Sequence, residues 1–285
     1  MKRTVAAEQF FTPAATVARC LSLLEQYYSL SDFEQIIEPS AGAGAFLEQL
    51  PPATRIGLDI LPLHPEVLKT DFTTWTPPAA EGKVLTIGNP PFGRRAALAV
   101  QFVEKACQYS DVVAFILPRS FQKYTFQNRV PLHFHLIDFF DCDEFQTTEN
   151  DIVQVKSTFQ IWHRQSESRP ITKAPREHAD FDLIHAHMSR VSPEKRNQIR
   201  HEYEFAIPQV GADFTPRDPS LVEKGSHWFI KPKSDGVQEI FKQLDFSFLD
   251  GMNTAHKSLG KRDIIAAYTT AKAKRARRGA STQGD

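Results

Sequence analysis

Cysteine is scarce: Cys20, Cys107 and Cys142 are the only three in 285 residues, scattered and odd in number. That argues against a disulfide framework or a cysteine metal site, and their apolar surroundings predict buried free thiols. No apolar run approaches the length needed to span a bilayer. The start, Met1-Lys2-Arg3, leads into polar sequence without a signal-peptide core. A soluble, cytoplasmic protein without a membrane partner is expected. His185, His187 and His201 lack cysteines or acids at ligand spacing, so no metal is expected either. Internal repeats are missing. Net charge is missing too, with 34 basic against 34 acidic residues. That balance hides an asymmetry. From Gly251 onward there are eight basic residues (Lys257, Lys261, Arg262, Lys272, Lys274, Arg275, Arg277 and Arg278) against Asp263 and Asp285. Subtracting these leaves 26 basic and 32 acidic residues in the first 250. A mildly acidic body with a basic end suits either a polyanionic partner or a solubilising tail.

What is present centres on Asn89-Pro90-Pro91-Phe92, which follows the apolar run Val84-Leu85-Thr86-Ile87-Gly88. The run reads as a buried strand, stopped by residues that cannot continue a ladder. Two prolines fix φ and remove two N–H donors, leaving a stiff rim of acceptors: the Asn89 side-chain oxygen and the Pro90 carbonyl. Such a rim suits a planar NH2 group conjugated to a ring, with Phe92 stacked on that ring. A strand-ending turn is the alternative on these four residues alone.

Upstream, Thr12 is placed to cap a helix with Pro13 at its first position, and Val17, Leu21, Leu24 and Tyr28 repeat along one face. Ile36 to Pro39 reads as a strand entering Ser40-Ala41-Gly42-Ala43-Gly44, followed by a helix beginning near Phe46. The glycines permit positive φ and close ligand approach, but the third glycine of a dinucleotide fingerprint is missing. Asp59 ends a second strand, Arg55 to Ile60, where it either takes the two hydroxyls of a ribose or is a surface acid. Asp71-Phe72 pairs a third acid with an aromatic, suited to an adenine amino group and its ring. A helix from about Ala96 to Tyr109 and the strand Val112 to Pro118 complete a crossover, which implies a parallel sheet covered on both faces. Two further strands, near Leu136 and over Val153 to Trp162, are expected, the last alternating and antiparallel. Arg164 to Asp180 reads as a linker. Beyond it, strands near Tyr203–Gln209 and His227–Lys231 and helices from Val237 and Ile264 are expected.

Phe11-Thr12-Pro13, Glu38-Pro39-Ser40-Ala41-Gly42-Ala43-Gly44, Asp59, Asp71-Phe72 and Asn89-Pro90-Pro91-Phe92 occur in an order that resembles the gamma-type amino-group DNA methyltransferases. The resemblance covers roughly residues 8 to 165. It implies a Rossmann-like class I methyltransferase domain over residues 1–165 and a smaller α+β target-recognition region over 166–285. S-adenosylmethionine is the implied cofactor and adenine N6 in DNA the implied target. RNA adenine, guanine N2, glutamine or a non-catalytic binding subunit are alternatives. The resemblance implies a cofactor set of Phe11, Thr12, Pro13, Glu38, Ser40, Ala41, Gly42, Gly44, Asp59, Ile60, Asp71, Phe72 and Asn89. Asn89, Pro90, Pro91 and Phe92 would act on the target. Phe92, Arg94, Arg95 and, more loosely, Phe145 would contact substrate. Many relatives carry Tyr where this chain has Phe92.

Overall fold

The computed structural model describes residues 11–147, 151–173, 175–211, 213–246 and 258–281, without the side chains of 274 and 276–281. The chain forms two compact units, residues 1–172 and 173–285.

The first unit is a seven-stranded sheet. Strands β1 (Phe33–Pro39), β2 (Arg55–Asp59), β3 (Val67–Lys69), β4 (Lys83–Gly88) and β5 (Val112–Pro118) are mutually parallel. Beyond them lie β6 (Phe134–Asp141) and β9 (Ser157–Arg164), in the order β3-β2-β1-β4-β5-β9-β6. Strand β9 runs antiparallel to both its neighbours. This is a Rossmann-like sheet, mostly parallel with a late antiparallel strand, as the sequence predicts. Because β9 is inserted between β5 and β6, Ser157 to Trp162 are buried without interruption, and the alternation expected there is not seen. Ile152–Gln154 is instead a separate strand, β8, hairpinned with β7 (Glu144–Gln146).

Helices cover both faces because the apolar strands have two buried sides. In β5, Val113, Phe115 and Leu117 enter one core with α2 (Ala97–Ala106), and Val112, Ala114 and Ile116 enter the other with α1 (Ala14–Leu24). Val17, Cys20, Leu21 and Leu24 form the buried stripe of α1. Full burial of such a leucine is worth about 1.5–3 kcal/mol, and Leu24→Ala would cost about 2–5 kcal/mol. The short α3 (Tyr124–Gln127) follows β5. The helix expected from Phe46 is only a 3-10 turn, Leu47–Gln49. Pro51 and Pro52 leave no room to propagate it.

Residues 164–172 are not a free linker. Arg164 donates from Nε to the Ser110 carbonyl (3.0 Å) and from Nη2 to Cys107 (2.6 Å). Arg169 donates to the carbonyls of Phe134 and Val130, both at 2.8 Å, with its guanidinium over Trp162. Two arginines, compositionally typical of loops, thus staple this segment to the first unit.

The second unit has an antiparallel sheet, β10-β12-β11, from β10 (Phe181–His187), β11 (Phe205–Pro208) and β12 (Ser226–Pro232). Helices α4 (Pro193–Glu202), α5 (Val237–Phe241) and α6 (Lys261–Ser281) accompany it. Phe181, Phe205, Phe241 and Tyr268 form its aromatic centre. Strand β10 and helix α4 were not foreseen. Only Ile199 of α4 is buried, so its apolar signal is faint, although Ser192 caps it through the Lys195 N–H with proline in the first turn. Lys272, counted in the basic end, is paired with Asp180 at 2.6 Å, and Tyr268 donates to the same carboxylate at 2.9 Å. Among the described residues no helix is long and apolar enough to cross a membrane.

Candidate active site

The strand order reverses between β1 and β4, and the chain leaves the carboxyl ends of both strands there. In open α/β sheets this crevice is where ligands bind. Glu38 lies at the end of β1, Asp59 at the end of β2, Asp71 just beyond β3, and Asn89 directly after β4. One rim of the first unit's sheet therefore carries all four motifs.

Glu38 is the most unusual member. It is only 2% exposed, and its Oε2 has no hydrogen-bond partner among the described residues. Burial pushes its carboxyl up to about 8; the backbone amides of Leu47 and Phe46 oppose the rise, and the charge of Asp59 adds to it. An orphaned buried acid beside a glycine loop is a candidate contact for a ligand donor or cation. Gly88 makes room for it: its φ is +149°, and a Cβ there would stand 3.1 Å from Glu38 Cγ. Gly88 escaped the sequence reading as a site residue, although a glycine immediately before Asn-Pro-Pro was the available signal.

The loop after β1 is fixed by its neighbours. Asp59 accepts from the Gly42 N–H at 2.8 Å and from the Leu61 N–H at 2.7 Å, leaving Ile60 about half exposed beside it. Gly44, at φ +84°, lets the His64 ring close on the loop, where a Cβ would meet it at 2.9 Å. Ser40 also sits at positive φ, and Ala41 is buried. Asp71 is exposed and uses Oδ1 to accept from the N–H and hydroxyl of Thr73 at 2.8 and 2.7 Å.

Phe72 corrects an expectation. Its side chain is 3% exposed and packs against Phe102 at 5.0 Å between ring centroids. A ring packed in this way against α2 belongs to the core and has no open face for a base. Phe145 likewise is 1% exposed, within the core cluster against which Phe92 packs, and offers no open face for a base sandwich. Its strand β7 has a different part: Gln146 exchanges two backbone hydrogen bonds with Phe11, at 2.8 and 2.9 Å.

That exchange brings Phe11-Thr12-Pro13 to the rim that carries Asn89. Asn89 Nδ2 donates to Thr12 Oγ1 at 3.2 Å, joining residues 77 apart in sequence. Thr12 is not a helix cap: α1 begins after Pro13 with no side-chain cap. Pro90 is buried, Pro91 exposed and Phe92 half-buried. Arg94 and Arg95 are exposed, and Gly93, Arg95 and Ala96 hold φ of 66°, 56° and 60°. Two non-glycine residues in the left-handed region cost of order 1–2 kcal/mol each. Such strain beside a candidate site is the kind that functional loops carry.

No protein-family profile and no curated protein matches the chain. Among solved structures it is similar to a protein from Pyrococcus horikoshii described as a candidate RNA methyltransferase. That match has 17% identity and a TM-score of 0.45, over 57% of this chain and 90% of that one. The 23S rRNA methyltransferase ErmE is similar at 18% identity and a TM-score of 0.40, over 56% of this chain and 71% of that one. The N-methyltransferase NodS from Bradyrhizobium japonicum, solved with S-adenosyl-L-homocysteine, is similar at 15% identity and 0.37, over 55% and 89%. None of these TM-scores reaches 0.5, and they stand as likenesses only.

Proposed function

We propose that the chain is an S-adenosylmethionine-dependent methyltransferase that modifies an exocyclic amino group of a nucleic-acid base, adenine N6 in DNA. The observation that carries this is the placement of Asn89-Pro90-Pro91-Phe92 directly after β4 at the switch point, with the Asn89 amide fixed by Thr12. The cofactor supplies an activated methyl electrophile. Its site fits the residues present: Glu38 Oε2 is without a partner among the described residues, and Gly42 and Gly44 turn the loop beside it at positive φ. Asp59 would serve the ribose beside Ile60. Asp71 Oδ2 would serve the adenine amino group.

At the target, Asn89 Oδ1 and the Pro90 carbonyl accept the two amino hydrogens. Those bonds strengthen as positive charge grows on nitrogen, so they stabilise the transition state more than the ground state. Phe92 stacks on the base, Arg94 and Arg95 meet the flanking phosphates, and orientation provides much of the remaining acceleration. Neither Asn89 nor Pro90 is a base, and the product ammonium gives its spare proton to water. A duplex target must turn its base out of the stack to reach this rim.

The test is incubation with methyl-labelled cofactor and DNA or RNA of one sequence, followed by digestion and identification of the labelled nucleoside. N6-methyladenine from DNA supports the full reading, and label only in RNA moves the substrate class. Cofactor binding without any transfer points to a binding subunit. Asn89→Ala is expected to lower transfer by roughly 10²–10³ with cofactor binding retained.

A further inference from the structure

The acceptor pair proposed above has one weak point. The Pro90 carbonyl is locked in the backbone, but an asparagine amide turned through half a turn presents NH2 in place of C=O with almost the same shape. In that orientation the loop would meet the target amino group donor against donor. We propose that Thr12 is a positioning residue for Asn89: its hydroxyl accepts from Nδ2 and thereby keeps Oδ1 directed at the substrate. This rests on the amino-group methyltransferase reading, and it gives Thr12 a part distinct from the cofactor contact that the family resemblance implies.

Three observations support it. Thr12 is the only side chain hydrogen-bonded to Asn89 among the described residues, at 3.2 Å. Thr12 is 8% exposed, and its hydroxyl is not spent on capping α1. Its backbone is held on both flanks. Phe11 is tied to Gln146 by the two-bond bridge, and the Pro13 carbonyl accepts from Thr16 and Val17 at 2.9 and 3.0 Å. The segment before α1 thus holds Thr12 Oγ1 within hydrogen-bond reach of the Asn89 amide nitrogen.

The experiment compares Thr12→Val, which keeps the shape and removes the acceptor, with Thr12→Ser, which keeps the acceptor. Three quantities are read: kcat, cofactor Kd by calorimetry, and the Asn89 side-chain NH2 resonances in a 15N spectrum, identified by their loss in Asn89→Ala. Thr12→Val should lower kcat by roughly three- to tenfold, the weight of one neutral hydrogen bond, with Kd changed by no more than about twofold. It should also shift the NH2 resonances and speed their exchange with water, and Thr12→Ser should restore all three readouts. A raised Kd with unchanged kcat would return Thr12 to the cofactor and overturn the proposal. NH2 resonances indifferent to Thr12→Val would overturn it whether or not the wild type is active. A wild type that methylates neither DNA nor RNA defeats the functional reading and the kinetic part together, while the resonances still report separately on the Thr12–Asn89 contact.

Discussion

Replacing Glu38 by Gln should change how stability depends on pH, with a sign opposite to that of most acidic residues. In the folded protein burial raises the Glu38 carboxyl from 4.5 to about 8. In the unfolded chain the group ionises near its ordinary value, so between these limits the folded state holds a proton that the unfolded state has lost. Stability from this group is therefore fully present below about pH 4.5 and declines as pH rises towards 8, by about 1.4 kcal/mol per pH unit. Over the whole window the loss is of order 5 kcal/mol, a large share of a typical folding free energy. Glutamine is nearly isosteric and does not titrate, so Glu38→Gln removes the slope; any pH-independent cost of burying an amide cancels in the comparison. Urea unfolding of both proteins without cofactor, at pH 5, 6, 7 and 8, measures the difference. The variant should gain on the wild type by roughly 4 kcal/mol between the first and last pH. Parallel profiles would refute the burial argument for Glu38. On the proposed function, a cofactor cation at Oε2 favours the ionised form, so binding should release a proton at pH 7. Calorimetry in buffers of different ionisation enthalpy reads that proton directly, and Glu38→Gln should abolish it.

Phe92→Tyr should retain most activity and Phe92→Ala should lose it, because base stacking is worth about 1–3 kcal/mol per ring; equal turnover in the two would leave Phe92 as packing alone. Phe72→Ala should destabilise the protein by about 3–5 kcal/mol in denaturant titrations, since it opens a cavity against Phe102; a stable variant with only weakened cofactor affinity would contradict its buried placement. Arg95→Asn should keep or raise the unfolding midpoint, because asparagine tolerates the left-handed φ of 56° found there, while it weakens nucleic-acid binding; a lower midpoint with unchanged binding would count against both parts. Changing Lys274, Arg275, Arg277 and Arg278 to Gln together should flatten the dependence of log affinity on log salt by about 0.9 per lost contact on duplex DNA, and an unchanged slope would mean a solubilising tail. Lys272 is left out of that set because it holds Asp180.

Much of the first unit is legible from local pattern. The run from Val112 to Leu117 has no polar face, so a strand buried on both sides is its natural state, and two helices are then needed to cover it. Gly88-Asn89-Pro90-Pro91 ends its strand through backbone chemistry that no context can override. The second unit is harder to read because its signals are weak or mixed. Helix α4 buries one residue, and β10 interrupts its apolar positions with Asp182, His185 and His187.

What the sequence alone determined is therefore the apolar runs that become strands β1, β2, β4 and β5, the breaks between them and the residue types left at their carboxyl ends. Only the tertiary structure decided how those residues are used. It turned Phe72 and Phe145 inward, because aromatic area gains more against α2 and the sheet than in a solvent-facing crevice. It raised the Glu38 carboxyl through burial and left its Oε2 without a partner among the described residues, a property of the surroundings and not of the residue. And it took the hydroxyl of Thr12 from the helix end, where local pattern placed it, to Asn89, because the pairing of Phe11 with Gln146 is a long-range contact that sequence spacing does not encode.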